Sequence, residues 1–284
     1  MPPALEPART STLADHAGRE QRGIQSVEVG GKLLIALVDA GRPMALKDLA
    51  REAAMSPAKA HPYLVSFGKL GLITQDDSSA RYALGPLALQ LGLISLQQFE
   101  PVRLATAHLP ELAQALGHTT AIVVWGNRGA TIVRVEEAPT AVHVNMRHGT
   151  VMSLRGTASG MLFAAHLRRE QVQAALADEH AASLDEQGRL RPATLKTPVD
   201  PTLEAKWAEI RRHGISRISG GAVPGVSAMA APVFDEDGRI VLGLTAIGPT
   251  AVFDSRLEGN VALALRQTGR ELSRQLGASD TSKR

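Results

Sequence analysis

Residues 44–84 read MALKDLAREAAMSPAKAHPYLVSFGKLGLITQDDSSARYAL, two short amphipathic helices separated by one break and followed by a small hairpin. Leu46, Leu49, Ala50 and Ala53 recur at the i, i+3, i+4, i+7 spacing of one helical face, while Lys47, Asp48, Arg51 and Glu52 face water. Ser56 then offers an N-cap hydroxyl, and Pro57 stands at the first helical position, where its missing N–H costs nothing. A second helix therefore starts there and runs through Ala60, Tyr63, Leu64, Phe67 and Leu70 until Gly71 ends it in the left-handed conformation. Beyond it, residues 72–74 and 81–84 flank the polar Asp76, Asp77, Ser78 and Ser79, the pattern of a hairpin with a turn at its tip. Upstream, residues 26–40 (SVEVGGKLLIALVDA) supply a packing helix with Leu33, Leu34, Leu37 and Val38 inward. Gly30 and Gly31 weaken its opening turns, and Gly41, Arg42 and Pro43 stop it. Three helices and a hairpin make a winged helix-turn-helix over residues 23–85.

Such a unit lays its second helix into the groove of double-stranded DNA. Similar compact units also serve as protein-interaction domains, and charge does not separate the two readings. Residues 1–85 hold ten lysines and arginines against nine acids, well short of a strongly basic domain. Position favours DNA: Lys47, Lys59, His61, Lys69 and Arg81 fall on the recognition helix or its flanks, whereas the aspartates sit at the wing tip. Lys47, Ser56, Lys59, His61, Tyr63 and Arg81 are the candidate DNA-binding residues.

At 284 residues the chain has room for this unit and a larger second domain, each with its own core. A net charge of +3 permits a nucleic-acid partner without requiring one. The absence of cysteine excludes disulfides and thiolate metal sites and suits a reducing cytoplasm. No apolar run reaches the roughly 18 residues of a membrane span, and residues 1–23 lack the apolar stretch of a signal peptide. The reading is a cytoplasmic protein with no membrane partner, a disordered arm over residues 1–22 and a tail over 279–284.

Residues 86–105 form a linker helix opened by Pro86. Leu87, Leu91 and Ile94 make one apolar row, and Leu89, Leu93 and Leu96 a second. Apolar surface on two faces suits either pairing with a second copy of the chain or packing onto its own domains. Residues 106–278 then alternate helix and strand. Strands are expected at 119–125, 130–136 and 142–147, then at 228–234 and 240–247 around Asp235, Glu236, Asp237 and Gly238. Helices are expected at 101–116, 157–167, 168–177, 201–213 and 258–276. Strands clustered in hairpins, with helices on one face, indicate an α+β domain.

Ser153, Ser159 and Ser227 together with nine histidines allow a hydrolase to be imagined, which is the alternative reading. GTASG, however, lacks the G-x-S-x-G spacing of a nucleophile elbow. His143, His148, His166 and His180 match no metal-ligand spacing, so no catalytic residue, metal or cofactor is assigned.

AHPYLVSF and YALGPLALQLG in the first unit, RHGTVMSLRGTASGMLFAA at residues 147–165 and, most specifically, GVSAMAAPVFDEDGRIVLGLTAIGP at 225–249 resemble the IclR-type bacterial transcriptional regulators. The resemblance extends over residues 23–276. It implies a C-terminal GAF-like effector-binding domain, a homodimer or dimer of dimers, and control of a nearby catabolic operon by a small metabolite. Departures from the family pattern carry information. The family's usual Ser-Thr pair followed by His-Arg becomes Ala58-Lys59 followed by His61-Pro62. Proline inside a helix removes a donor and costs roughly 3 kcal/mol.

In the family, small acids are held by backbone amides at a helix start, matched here by Gly156, Thr157, Ala158, Ser159 and Gly160. The family's acidic loop positions fall on Ile218, Ser219 and Gly221, its cysteine on Ala228, and its two strand serines on Thr245 and Ile247. A wall that loses polar groups and gains methyls favours an apolar or aromatic organic acid. The candidate ligand-binding residues are Thr157, Ala158, Ser159, Gly160, Met161, Ser219, Ala228, Thr245 and Ile247, with Met146 and Met229 as further lining.

Overall fold

Single residues mark the ends of the helices in the N-terminal unit. In the computed structural model, which describes residues 23–138, 146–181, 201–220 and 223–279, α1 (Gln25–Ala40) stops at Gly41 in the left-handed conformation, φ 59°. After α2 (Leu46–Glu52), Ser56 caps α3 (Pro57–Lys69), its hydroxyl accepting the Lys59 amide at 3.3 Å. Gly71, φ 75°, turns the chain into β1 (Ile73–Gln75), which pairs antiparallel with β2 (Tyr82–Leu84). Leu33, Leu37, Leu49, Ala50, Ala60, Leu64, Ile73 and Tyr82 form the core beneath. The winged helix-turn-helix is thus present, with one inward assignment, Val38, corrected. Val38 is 57% exposed because the buried stripe of α1 runs through Gly30, Leu33, Ala36 and Leu37, and Leu70 is 61% exposed because it caps α3 outside its last turn. Gly30 is a packing position more than a weakness, since a Cβ there would lie 2.7 Å from the Tyr63 ring.

The winged unit continues into α4 (Pro86–Gln98), where the Leu87 amide donates to the Gly71 carbonyl at 2.9 Å. No residue of α4 is buried, and Leu89, Leu91, Leu93 and Ile94 stand exposed. The chain divides into two compact units between Ser95 and Leu96, so the expected linker over 86–105 comprises α4 and the first turns of α5 (Glu100–Leu116).

In the second unit, β3 (Thr119–Gly126), β4 (Gly129–Glu136), β5 (Ser216–Ser219), β6 (Val226–Phe234) and β7 (Ile240–Pro249) form an antiparallel sheet in the order β4-β3-β7-β6-β5. The short polar β5, SRIS, carries no apolar run and so leaves no strand signal in the sequence. The strand expected at 142–147 lies mostly outside the described residues, as do Gly221 and His143. Residues 149–152 run along the outer edge of β4, with Met152 donating to Ala130 at 2.7 Å. From there the chain enters α6 (Ala158–His166), followed by α7 (Arg169–Ala181), α8 (Pro201–His213) and, after the sheet is complete, α9 (Asn260–Gln275).

Helices cover both faces of this sheet, which corrects the expectation of one. α5 and α9 pack over Ile122, Met229, Ala231, Val233, Leu242, Leu244 and Ala246. The helices α6, α7 and α8 pack over Ala121, Val123, Ala228 and Ala230. The alternation of side chains along each strand divides the two cores residue by residue.

Candidate functional site

On α3, the 100° step of the helix sets Ala58, Pro62, Val65 and Lys69 opposite the buried Ala60 and Leu64. Lys59 and Ser66 lie on one flank. His61 lies on the other, sharing a cleft with Val65, Thr74 and Gln75 beside the wing. Of the candidate DNA contacts, Lys47, Lys59, His61 and Arg81 are exposed. Arg81 also donates to the Pro43 carbonyl at 3.4 Å, which directs its guanidinium along the base of the wing. The Ser56 hydroxyl is engaged as the cap, and Tyr63 is half-buried with its ring against α1, so neither is a free reader. Pro62 leaves the Ala58 carbonyl without its usual amide at an exposed position where water can take it, and Ser66 Oγ donates back to the Pro62 carbonyl at 2.9 Å. At the wing tip, hydroxyl hydrogen bonds from Ser78 (2.6 Å) and Ser79 (2.8 Å), with the Ser79 amide (2.7 Å), hold the Asp76 carboxyl down at about 2. The tip therefore carries a lasting negative charge, a sign that repels phosphates.

The second site is built around the start of α6. Thr157 Oγ1 accepts the Gly160 amide at 3.0 Å and donates to the Ser153 carbonyl at 2.7 Å. Ser153 Oγ accepts the amides of Arg155 (3.2 Å) and Gly156 (3.0 Å) and donates to the Glu179 carboxylate, whose other oxygen takes the Leu154 amide at 3.0 Å. Gly160 presses so closely on this turn that a Cβ would lie 2.0 Å from the Ser153 carbonyl oxygen. Neither Ser153 nor Glu179, which hold the turn, is among the candidate ligand-binding residues. Glu179 approaches from 26 residues away, and no local pattern announces it. Two amides of the helix start, Ala158 and Ser159, remain without an intrahelical acceptor.

Register decides which sheet residues stand beside them. Ala228 pairs with Ile247 and with Ile218, and Thr245 pairs with Ala230 and Ala121, so these six share the α6 face. Ser159 Oγ and Thr245 Oγ1 meet at 2.9 Å, both fully buried. Met161 is buried in the same core, with Met146 half-buried against it, and Trp125 packs on Phe163 at 5.9 Å between ring centroids. Thr157, Ala158, Ser159, Gly160, Met161, Ala228, Thr245 and Ile247 are therefore assembled on one side of the sheet. Ser219 and Met229 are not. Ser219 belongs with Ser227 and Thr250 on the opposite face, hydroxyl to hydroxyl at 3.1 Å and 3.0 Å, and Met229 is in the α5–α9 core. Ile218, the neighbour of Ser219, stands on the α6 face instead.

Among the described residues, no group of three or more histidines and carboxylates is arranged to hold a metal ion, and no helix is long and apolar enough to cross a membrane.

Comparison with known proteins bears on both sites. The family model for the C-terminal region of the bacterial transcriptional regulator IclR matches residues 94–274, and the model for the IclR helix-turn-helix domain matches residues 26–77. The glycerol operon regulatory protein of Streptomyces coelicolor is 27% identical over 259 residues, 90% of this chain and 98% of that protein. The crystal structure of Pseudomonas aeruginosa HmgR is 36% identical, covering 91% of this chain and all of that one, with a TM-score of 0.57. An IclR homologue from Microbacterium hydrocarbonoxydans, crystallised with 4-hydroxybenzoate, shares the fold at 17% identity and a TM-score of 0.67, over 89% of this chain and 99% of that one.

Proposed function

Since the chain belongs to the IclR family of bacterial transcriptional regulators, with its helix-turn-helix and its C-terminal domain both matched, we propose that it controls a catabolic operon in response to an apolar or aromatic organic acid. The protein acts in the cytoplasm on a palindromic operator as a homodimer or dimer of dimers, joined through the exposed leucines of α4. The effector's carboxylate rests on the Ala158 and Ser159 amides at the positive end of α6, and its body lies against Met161, Ala228 and Ile247.

The observation that carries this reading is the pairing of two amides free of intrahelical acceptors with a sheet face of Ala121, Ile218, Ala228, Ala230, Thr245 and Ile247, which offers one hydroxyl and otherwise only hydrocarbon. Backbone donors can satisfy an anion, but such a wall gives a two-carbon acid almost nothing more. The homologue that holds 4-hydroxybenzoate lends support, being an example of an aromatic carboxylate bound within this fold.

Titration calorimetry with benzoate-type acids, glyoxylate and pyruvate tests the reading. Benzoate-type acids are expected to bind more tightly, and Ile247→Ser is expected to weaken them by roughly tenfold through lost apolar contact. Preference of the unaltered protein for glyoxylate or pyruvate would overturn the apolar pocket.

A further inference from the structure

Of the side chains that read bases by paired hydrogen bonds, the recognition helix carries only lysines, Lys59 on a flank and Lys69 in the last turn. In the major groove, arginine or lysine reads guanine, asparagine or glutamine reads adenine, aspartate or glutamate reads cytosine, and an apolar side chain reads the C5-methyl group of thymine. α3, PAKAHPYLVSFGK, contains no arginine, asparagine, glutamine, aspartate or glutamate. Its outward crest is Ala58, Pro62 and Val65, with Lys69 only in the last turn, past the N-terminal part of a recognition helix that meets the base edges. Pro62 presents ring methylenes, Val65 is 42% exposed, and the Ser66 hydroxyl proton is engaged by the Pro62 carbonyl. Lys59 on one flank and Lys69 at the end are placed for phosphates beside the crest.

Resting on the DNA-binding reading above, we propose that α3 selects its operator through thymine methyl groups, packed against Ala58, Pro62 and Val65, while Lys59 and Lys69 hold the backbone and His61 lies toward the wing. Each half-site then carries one or two obligatory thymines at its centre, and shape complementarity to methyls replaces the bidentate hydrogen bond as the source of specificity. Pro62 gains a role in this scheme. Its rigid ring widens the apolar crest without adding a donor that would favour guanine.

The full-length protein is used to select sites from a randomised duplex library, and the selected duplex is resynthesised with deoxyuridine in place of each thymine in turn. That change removes one methyl and leaves base pairing intact. Fluorescence anisotropy at fixed salt is expected to show affinity falling about fourfold at each contacted thymine, the worth of one buried methyl, and no change at the others. Val65→Ala is expected to abolish the penalty at one position, leaving thymine and uracil duplexes equal there. Lys59→Ala should weaken both duplexes alike and reduce the salt dependence. Equal binding of all uracil and thymine duplexes would overturn methyl readout while leaving DNA binding intact, as would a Val65→Ala variant that keeps the full penalty. Failure to select any duplex would overturn the DNA-binding reading and this inference with it.

Discussion

α3 and α6 begin alike and end in opposite surroundings. Each opens on a hydroxyl N-cap, Ser56 and Thr157, accepting the amide three residues on. In α3 only Ala60 and Leu64 are buried, and most of the helix surface is left for a partner. In α6 every residue from Ala158 to Ala165 is buried, and its start is pinned beneath a turn held by Ser153 and Glu179. An exposed helix can change its outward residues at little cost in stability, so α3 is free to vary toward its DNA. A buried helix start cannot, so α6 is tied to its backbone geometry.

The largest effect that tests this contrast is expected at Gly160. Its substitution by alanine drives a Cβ to 2.0 Å from the Ser153 carbonyl oxygen, where the backbone must move. A loss of about 3 kcal/mol or more is expected for the C-terminal unit. Denaturant unfolding followed by tryptophan fluorescence reads that unit selectively, because both tryptophans, Trp125 and Trp207, belong to it. A Gly160→Ala variant as stable as the parent would mean that the turn is soft and that α6 is no more constrained than α3.

The local parts of this contrast were legible in the sequence, and the distant ones were not. Ser56, Pro57 and Gly71 define α3 through contacts within a few residues, as Thr157 does for the start of α6. Gly30 looks like a helix defect until Tyr63, 33 positions on, is seen packed against it. Register explains why Ser219 and Met229 fall outside the α6 face. Without β5 in the reading, Ser219 could not be assigned a face. For Met229 the signal is local, since neighbours along a strand point to opposite sides and Ala228 and Met229 cannot share a face. The covering of both faces of the sheet likewise depended on where α5 and α9 return in space.

A smaller effect is expected at the far end of α6. His166 is packed edge-on against Phe234 at 5.2 Å with Nε2 unpartnered, and burial, aided by the nearby Arg211 charge, lowers its pKa from the ordinary 6.5 to about 4. Between these values the unfolded chain takes up a proton that the folded one refuses. Stability contributed by the neutral ring is therefore complete above about pH 6.5 and declines as the pH falls toward 4, by up to about 3 kcal/mol. Denaturation midpoints measured across that range should slope in the parent and flatten in His166→Phe. An equal slope in both would place the titrating group elsewhere and remove the terminus of α6 from the buried side of the comparison.

The smallest expected effect runs the other way and belongs to α3. Gly68 is helical, its φ is not positive, and a Cβ built on it meets nothing within 4 Å. Alanine there gives up none of the packing that Gly160 requires and reduces the backbone freedom lost on folding. A gain of about 0.5–1 kcal/mol is expected for the winged helix. Amide hydrogen exchange along α3 is a suitable measurement, since slower exchange there, with exchange in α6 unchanged, reads the gain in the correct unit. Because Gly68 sits on the His61 flank and off the Ala58, Pro62 and Val65 crest, affinity for a selected duplex should stay within about twofold. If Gly68→Ala instead loosened α3, or cost the protein its DNA affinity, the outward surface of this helix would be constrained as closely as the buried start of α6.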